Sequence, residues 1–302
     1  MKIKRLVATV LCAVTLAAGT TVSAACGKRA DAICVGSKNF TESLVVGEIY
    51  ALALEDAGFK VERELNIAGT LVHQSITSGE IDVYPEYTGT ALMSYLQMDM
   101  ISDPEELYNT VKAEYAERYD IVWLDQTEIN DTNGFAMRKD VAKKYGITAI
   151  SDMAEHASEL TMASQGEFEE REDGLPGLRK HYNADFNFKN IVSVNNALKY
   201  QTLISGQADV APAYSTEGQL STGQFTYLID DKNFFPPYCL APIIRSETLR
   251  KFEGADDVLN ALCPYLTMDA IIQLNARVDI DHEEYDDVAE YFYENTIKPN
   301  LS

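Results

Sequence analysis

The chain has 302 residues, of which 46% are hydrophobic and 24% are charged. These fractions are ordinary for a folded protein and exclude a wholly disordered chain. The formal net charge is -22, from 25 lysines and arginines against 47 aspartates and glutamates. A field of this sign excludes nucleic-acid binding by phosphate neutralisation and disfavours docking on anionic lipid headgroups. The length fits one large domain or two medium ones.

The N-terminus has the layout of a secretory signal. Three cations, Lys2, Lys4 and Arg5, precede an apolar run over residues 6–18, and small residues continue to position 25. The apolar run is too short to cross a bilayer as a mature helix. We therefore expect residues 1–25 to be a signal peptide.

Cys26 resembles the lipid-attachment cysteine of bacterial lipoproteins. It follows Ser23-Ala24-Ala25 and precedes Gly27, although an aliphatic residue is usual where Ser23 stands. This pattern predicts a diacylated Cys26, a tether over residues 26–32 and attachment to the outer face of the cytoplasmic membrane. The alternative is ordinary cleavage after Ala24 or Ala25, which yields a secreted protein.

Cysteine and histidine usage indicates neither a metal nor a disulfide framework. Cys34, Cys239 and Cys263 remain beyond the N-terminal segment, and no two cysteines have the C-x-x-C spacing. One disulfide and buried thiols are both open alternatives. The histidines are scattered, and we expect no metal and no cofactor; they are His73, His156, His181 and His282.

From residue 33 onward the pattern alternates between strand and helix. A strand at 33–35 and a turn at 36–40 lead to a helix over 44–56 with Thr41 as N-cap, and a strand follows at 61–65. This β-α-β start implies a parallel sheet with helices on its faces.

The pattern continues in the same manner to the C-terminus. It predicts a helix over 71–78, strands at 81–84, 121–124, 135–137, 160–163 and 238–244, and helices opening at Thr88 and Pro104. Two helices finish the chain, the last opening near Asp281 with an acidic first turn.

An internal repeat links residues 78–88 to residues 205–215. Six of the eleven positions are identical, and each copy predicts a strand that leads into a Pro-x-Tyr loop. Ligands of open α/β sheets bind beyond the carboxyl ends of the strands. Two similar halves would therefore place Tyr87 and Tyr214 on opposite walls of one cleft. The alternative is two unrelated buried tyrosines.

Motifs of the common enzyme classes are absent from the sequence. Three residues instead suggest an anion site: Lys38 lies between a strand and a helix, Thr90 is in a comparable loop, and Arg171 is in an acidic loop. Tyr238 follows two prolines, which stiffen its segment. Rigid tyrosines near an anion site describe a pocket for a zwitterion.

Four motifs resemble those of the osmoprotectant-binding proteins of ABC importers, the glycine betaine/carnitine/choline group. They are Gly36-Ser37-Lys38-Asn39-Phe40-Thr41-Glu42, Glu86-Tyr87-Thr88-Gly89-Thr90, Asp173-Gly174-Leu175-Pro176 and Pro236-Pro237-Tyr238. The resemblance covers nearly all of residues 33–302. It implies a type II periplasmic-binding-protein fold, with two α/β lobes joined by two crossing strands and the ligand cleft between them. Lobe 1 is expected to be 33–131 plus 241–302, and lobe 2 to be 132–240.

The resemblance also implies roles for individual residues. In that family a tyrosine cage holds a quaternary ammonium group, and Tyr87, Tyr214 and Tyr238 occupy three of its positions. Asp131 matches an acid beside the cage, whereas Asn133 stands where a fourth tyrosine is usual. The positions that hold the ligand carboxylate are occupied by Lys38, Thr90 and Arg171.

The expected partners follow from this resemblance. They are a small quaternary ammonium ligand and the permease and ATPase subunits of an ABC importer. The protein is expected to be a monomer that meets the membrane only through its lipid. Asn133 leaves room for a ligand longer than glycine betaine, such as carnitine or ergothioneine. Choline fits less well, and a secreted enzyme or a sensor on the same scaffold is a further alternative.

Overall fold

The structure is a computed structural model that describes residues 31–164, 167–170, 174–195 and 198–301. The predicted signal peptide, the lipidation site Cys26 and the anion-site candidate Arg171 lie outside these residues.

Strands and helices alternate along the described chain. The strands are β1 (Ile33–Lys38), β2 (Val61–Ile67), β3 (Val83–Tyr87), β4 (Ile121–Trp123), β5 (Asn133–Arg138), β6 (Thr161–Ser164), β7 (Asn190–Ser193), β8 (Val210–Tyr214), β9 (Phe225–Tyr227) and β10 (Leu240–Arg245). The α-helices are α1 (Thr41–Asp56), α2 (Gly69–Ser78), α3 (Thr88–Thr90), α4 (Pro104–Tyr119), α5 (Lys139–Tyr145), α6 (Ile150–His156), α7 (Leu175–Tyr182), α8 (Lys199–Ile204), α9 (Ser246–Lys251), α10 (Ala255–Asn260), α11 (Met268–Asp279) and α12 (Tyr285–Phe292).

Within the described residues the strands form two five-stranded sheets. The first has the order β2-β1-β3-β10-β4 and the second has the order β7-β6-β8-β5-β9. In each sheet three neighbouring strands are parallel. An antiparallel strand joins them, β10 beside β3 in the first sheet and β5 beside β8 in the second. The predicted architecture of two α/β sheets with helices is confirmed.

Two chain segments connect the sheets, and they run side by side. The first follows β4 and the second precedes β10. Backbone bonds tie them together, from Leu240 N–H to the Ile129 carbonyl at 2.9 Å and from Asp131 N–H to the Tyr238 carbonyl at 3.1 Å. These bonds fix where Asp131 and Tyr238 enter the space between the sheets.

Each sheet is covered by its own apolar clusters. Helices α1, α11 and α12 bury one face of the first sheet around residues such as Ile49, Leu274 and Val288. Tyr115 and Trp123 are fully buried on its other face. Aromatic side chains of this size bury enough apolar area to hold the strand ends rigid.

The strand boundaries correct two sequence predictions. Residues 36–38, predicted as a turn, belong to the fully buried strand β1, with a register shift against β2. The predicted Pro-x-Tyr loops are the last residues of β3 and β8. A proline is tolerated in β3 because this strand pairs with β1 only at Val83, so Pro85 interrupts no ladder bond on that side.

Two helix predictions are also wrong in detail. Phe40, not Thr41, precedes the first helical residue, and the Thr41 hydroxyl instead donates to Asp279 Oδ1 of α11 at 2.6 Å. The last long helix opens at Tyr285 rather than near Asp281, because α11 continues to Asp279.

Within the ranges given above, no helix combines the length and the apolar character needed to span a membrane. In the same part of the chain no disulfide joins Cys34, Cys239 and Cys263 to one another.

Candidate functional site

A cavity of about 620 Å³ lies between the two sheets. Its volume is in the range of small-molecule sites. The first sheet contributes Lys38 and Tyr87 to the lining, and the second contributes Asn133 and Tyr214. Every candidate binding residue that the structure describes lines this cavity: Lys38, Tyr87, Thr90, Asp131, Asn133, Tyr214 and Tyr238.

Tyr87 ends strand β3 and is held at both its ring and its hydroxyl. Only 3% of the residue is exposed, and its hydroxyl donates to Glu42 Oε1 at 2.6 Å. The ring of Phe40 lies 5.9 Å away, centroid to centroid, and also lines the cavity. This hydrogen bond holds the Tyr87 ring in a fixed position in the cavity wall.

Tyr214 ends strand β8 on the opposite side of the cavity. It is 43% exposed, and in the antiparallel β5–β8 pair it stands directly opposite Asn133. Directly opposed residues in such a pair have neighbouring side chains. The side chain of Asn133 therefore lies beside that of Tyr214.

Tyr238 reaches the cavity from the second connecting segment. Its backbone N–H donates to Asn130 Oδ1 at 2.7 Å, which ties it to the first connecting segment. A Cβ atom added at Gly89 would lie 2.8 Å from ring atom Cδ1 of Tyr238. Gly89 thus makes the space in which the Tyr238 ring packs.

Lys38 forms a buried ion pair behind Tyr87. Its ammonium donates to Glu86 Oε1, with side-chain exposures of 6% and 0%. Glu86 Oε2 accepts from the Tyr84 hydroxyl at 2.5 Å. The same ammonium lies 4.9 Å from the centre of the Tyr87 ring. The charge of Lys38 is therefore balanced before any ligand arrives.

The second sheet carries an arrangement of the same chemistry behind Tyr214. Lys199, 3% exposed, donates to Glu217 Oε1 at 2.5 Å, and the Tyr200 hydroxyl donates to Glu217 Oε2. The Lys199 ammonium lies 5.8 Å from the centre of the Tyr214 ring. Each wall thus places one lysine, one glutamate and one buried tyrosine behind a cavity tyrosine.

Two further carboxyl groups lie in the cavity without a cation between them. Burial and the negative charge of Asp131 raise the pKa of Glu42 to about 8, against the hydrogen bond from Tyr87. Burial raises the pKa of Asp131 to about 6, against a 2.7 Å hydrogen bond from the Thr216 hydroxyl. Both carboxyl groups gain from a positive charge placed beside them.

The charge of the lining is unequal. Lys38 is its only cation among the described residues, and the acids are Glu42, Asp131, Glu217 and Asp279. Because Glu217 is paired with Lys199 and the raised pKa of Glu42 favours its neutral form near pH 7, the negative charge of the lining comes from Asp131 and Asp279. A cavity with this charge and with aromatic walls attracts a cation. No group of three or more histidine, cysteine, aspartate or glutamate side chains in the described part of the chain is arranged to hold a metal ion.

Several lining residues escaped the sequence analysis. Phe40 and Glu42 stand in a motif that it singled out, but without a role. Glu217 and its ion-pair partner Lys199, which lies behind the lining, give no signal, because Ala213 replaces the glutamate of the first copy within the repeat. Only the folded chain brings these residues together; the further lining residues are Phe168, Thr216, Asn275 and Asp279.

Comparison with known proteins agrees with this geometry. A family model, the substrate binding domain of ABC-type glycine betaine transport system, matches residues 31–295. The carnitine transport binding protein OpuCC of Listeria monocytogenes is 36% identical over 270 residues, which cover 88% of this chain and 87% of that protein. The ergothioneine transport permease/ergothioneine binding protein EgtU of Helicobacter pylori is 29% identical over 264 residues, covering 87% of this chain and 47% of that protein.

One solved structure shows the fold directly. The crystal structure of a glycine betaine/carnitine/choline ABC transporter is similar with a TM-score of 0.82 and 26% identity, covering 87% of this chain and 97% of that chain. The predicted fold class is confirmed by this likeness.

The raised pKa of Glu42 predicts that the protein loses stability as pH rises. Its pKa is about 8 in the folded chain and 4.5 when unperturbed, so the folded state keeps a proton that the unfolded state releases between these values. The free energy of unfolding should fall from pH 5 to pH 8, as measured by urea denaturation. Glu42→Gln should flatten most of this slope, whereas Glu290→Gln on the exposed face of α12 should leave it unchanged. An unaltered slope in Glu42→Gln would contradict the assignment.

The buried ion pair predicts a large effect of neutralising one partner. Glu86→Gln leaves the Lys38 ammonium buried and unpaired, which should cost about 3–5 kcal/mol of the free energy of unfolding. The double variant Lys38→Met with Glu86→Gln should recover a good part of this loss. The exposed pair Lys298–Glu294 is the control, since solvent screens it and Glu294→Gln should lower the free energy of unfolding far less. Equal effects of the two glutamate substitutions would show that the buried pair is unimportant.

Proposed function

This chain belongs to the family of substrate-binding domains of ABC-type glycine betaine transport systems, and we propose that its cavity captures a quaternary ammonium zwitterion for import. As a member of this family it is a substrate-binding protein and not an enzyme. The observation that carries the proposal is the acidic, tyrosine-walled cavity between the sheets.

The cation is proposed to sit among Tyr87, Tyr214 and Tyr238, with Asp131 and Asn133 beside it. A quaternary ammonium group has no N–H to donate, so it gains from ring faces rather than from hydrogen bonds. Each well-placed ring contributes about 0.5–2 kcal/mol. The acidic lining adds Coulomb attraction in a space with little water.

The carboxylate of the ligand is proposed to meet Lys38, Thr90 and Arg171. The Lys38 ammonium donates to Glu86, and an ammonium group has three N–H donors. Charge-assisted bonds of this kind contribute about 1.5–3 kcal/mol each. The entropy that the ligand loses on binding offsets part of this favourable free energy, so we expect a Kd near micromolar.

A ligand longer than glycine betaine is favoured. Asn133 is smaller than tyrosine and stands opposite Tyr214, so it enlarges the cavity on that wall. Relatives with matching coverage of this chain are named for carnitine and for ergothioneine. Both compounds carry a trimethylammonium group and a carboxylate.

One observation favours choline as a second candidate. The ion pair with Glu86 already balances the charge of Lys38, so the described part of the cavity has no cation in excess that requires a ligand carboxylate. A cationic ligand without a carboxylate is therefore electrostatically acceptable. Whether the protein prefers choline or a zwitterion then depends on whether Arg171 binds a ligand carboxylate.

Delivery is proposed to follow the pattern of ABC importers. The protein is taken to act outside the cytoplasmic membrane, tethered through lipid on Cys26, as a monomer that presents its ligand to permease and ATPase subunits. Lobe 1 (33–131 plus 241–302) and lobe 2 (132–240) are proposed to close on the ligand, and the closed form is the one a permease can select.

A thermal-shift panel on residues 33–302 tests the proposed ligand class. The compounds are glycine betaine, proline betaine, carnitine, choline, ergothioneine and unmethylated amino acids. A ligand at about 100 times its Kd stabilises the protein by about 2.7 kcal/mol, which is an easily measured rise in Tm. We expect the largest rise with carnitine or ergothioneine. A response to choline alone would select the second candidate, and a response only to unmethylated amino acids would overturn the cage.

Tyr214→Ala should weaken binding of the preferred ligand by about 1–2 kcal/mol, because one ring face is lost from the cage. Isothermal titration calorimetry measures the change in Kd. The control is Tyr291→Ala, since Tyr291 is 59% exposed and lies outside the cavity lining. An unchanged Kd for Tyr214→Ala would remove this residue from the cage.

A further inference from the structure

Two hydrogen-bond acceptors in the cavity lining have no donor. Glu42 Oε2 and Asn275 Oδ1 are buried and meet no hydrogen-bond partner among the described residues. Both residues line the cavity, and Glu42 is 2% and Asn275 4% exposed. A buried acceptor without a donor lowers stability, so each such group calls for a physical reason.

The orientation of both groups is fixed by their other atoms. The Asn275 Nδ2 group donates to the Thr216 carbonyl at 2.9 Å, so the amide oxygen is the atom left over. Glu42 Oε1 accepts from the Tyr87 hydroxyl at 2.6 Å, so Oε2 is the one left over. Neither side chain can turn to satisfy its open acceptor without giving up an existing bond.

The two neighbouring hydroxyl groups already donate to other atoms. The Tyr87 hydroxyl proton goes to Glu42 Oε1, and the Thr216 hydroxyl donates to Asp131 Oδ1 at 2.7 Å. Asp131 offers only further acceptors when it is ionised. The missing donor must therefore come from a molecule in the cavity or from a proton bound by the site itself.

We propose that Glu42 Oε2 and Asn275 Oδ1 are a specificity site that receives an O–H or N–H donor carried by the bound trimethylammonium zwitterion. This inference rests on the proposed function. It narrows the ligand class to trimethylammonium zwitterions that bear a hydroxyl or a ring N–H near the cation. Carnitine has such a hydroxyl and ergothioneine has imidazole N–H groups, whereas glycine betaine has neither.

The position of the two acceptors suits this arrangement. Glu42 is bonded to Tyr87, a proposed cage residue, so its open oxygen lies next to the place of the cation. In carnitine the hydroxyl-bearing carbon is separated from the ammonium nitrogen by a single methylene group. A ligand whose cation rests on Tyr87 therefore carries its hydroxyl within reach of this wall.

The experiment compares two ligands that differ by one hydroxyl group. Carnitine and γ-butyrobetaine share the trimethylammonium group, the chain length and the carboxylate, and only carnitine has the hydroxyl. Calorimetric titration of the wild-type protein should give a Kd for carnitine about tenfold or more below that for γ-butyrobetaine. The cation of the bound ligand favours the ionised form of Glu42, whose Oε2 then accepts the hydroxyl proton of carnitine. Ergothioneine against glycine betaine is the corresponding comparison for an N–H donor.

Two variants assign the preference to the acceptors. In Glu42→Gln and in Asn275→Leu, the Kd for γ-butyrobetaine divided by the Kd for carnitine should fall towards one. The main cause should be weaker binding of carnitine, the ligand that carries the donor. Glu290→Gln, an exposed substitution on α12, should keep the wild-type ratio. The ratio in the wild-type protein remains informative even where one variant folds poorly.

The outcomes separate this inference from the proposed function. Tight binding of γ-butyrobetaine or glycine betaine with no preference for the donor-bearing partner keeps the function and overturns the specificity site. A preference for carnitine that survives in both variants also overturns the specificity site. If Glu42 and Asn275 instead share a proton between their two oxygens, the wild-type protein should bind carnitine and γ-butyrobetaine equally, and that result overturns the specificity site as well. Failure of every trimethylammonium compound to bind overturns the function and this inference together.

Discussion

The buried ion pair between Lys38 and Glu86 is the interaction on which the first wall of the cavity depends. Glu86 is fully buried, and a carboxylate in that position is stable only with a cation and hydrogen-bond donors around it. Lys38, the Tyr84 hydroxyl and the Tyr87 backbone N–H supply them. Because Lys38 ends β1 and Glu86 precedes the last residue of β3, the pair locks two neighbouring strand ends together. Tyr87 is thereby held where its ring faces the cavity.

The pair also determines the electrostatics of the site. Glu86 neutralises the charge of Lys38, so the acids of the lining determine the sign of the electrostatic potential in the cavity. The cavity therefore favours a cation. The same arrangement recurs on the other wall, where Lys199 forms an ion pair with Glu217 behind Tyr214. In both places a lysine adds rigidity near a tyrosine ring without making the cavity positive. Both buried charges are satisfied within the protein.

Sequence patterns predicted the parts of this site that are local or repeated. The alternation of strands and helices, the repeat ending in Tyr87 and Tyr214, and the motif around Lys38 all lie within short segments. The ion pair of the second wall escaped prediction because its acid is not in the repeat. Ala213 takes that place, and Glu217 reaches Lys199 only after the chain turns. Strand ends were misjudged at β1 and β3, where proline and glycine suggested turns but burial on both faces keeps the chain extended.

The arrangement of the acids bears on how the cavity distinguishes a quaternary cation from an ordinary amine. A primary ammonium group gains most from carboxylate oxygens that are free to accept its N–H bonds. Here the Tyr87 hydroxyl donates to one oxygen of Glu42, and the Thr216 hydroxyl donates to one oxygen of Asp131. These acids therefore have fewer oxygens left to accept N–H bonds from an amine. A trimethylammonium group needs only the charge and the ring faces, and it loses little when those oxygens are occupied. The protein's own hydrogen bonds to its acids therefore suit the proposed cation, which cannot donate, and the use of the open oxygen of Glu42 depends on the rest of the ligand.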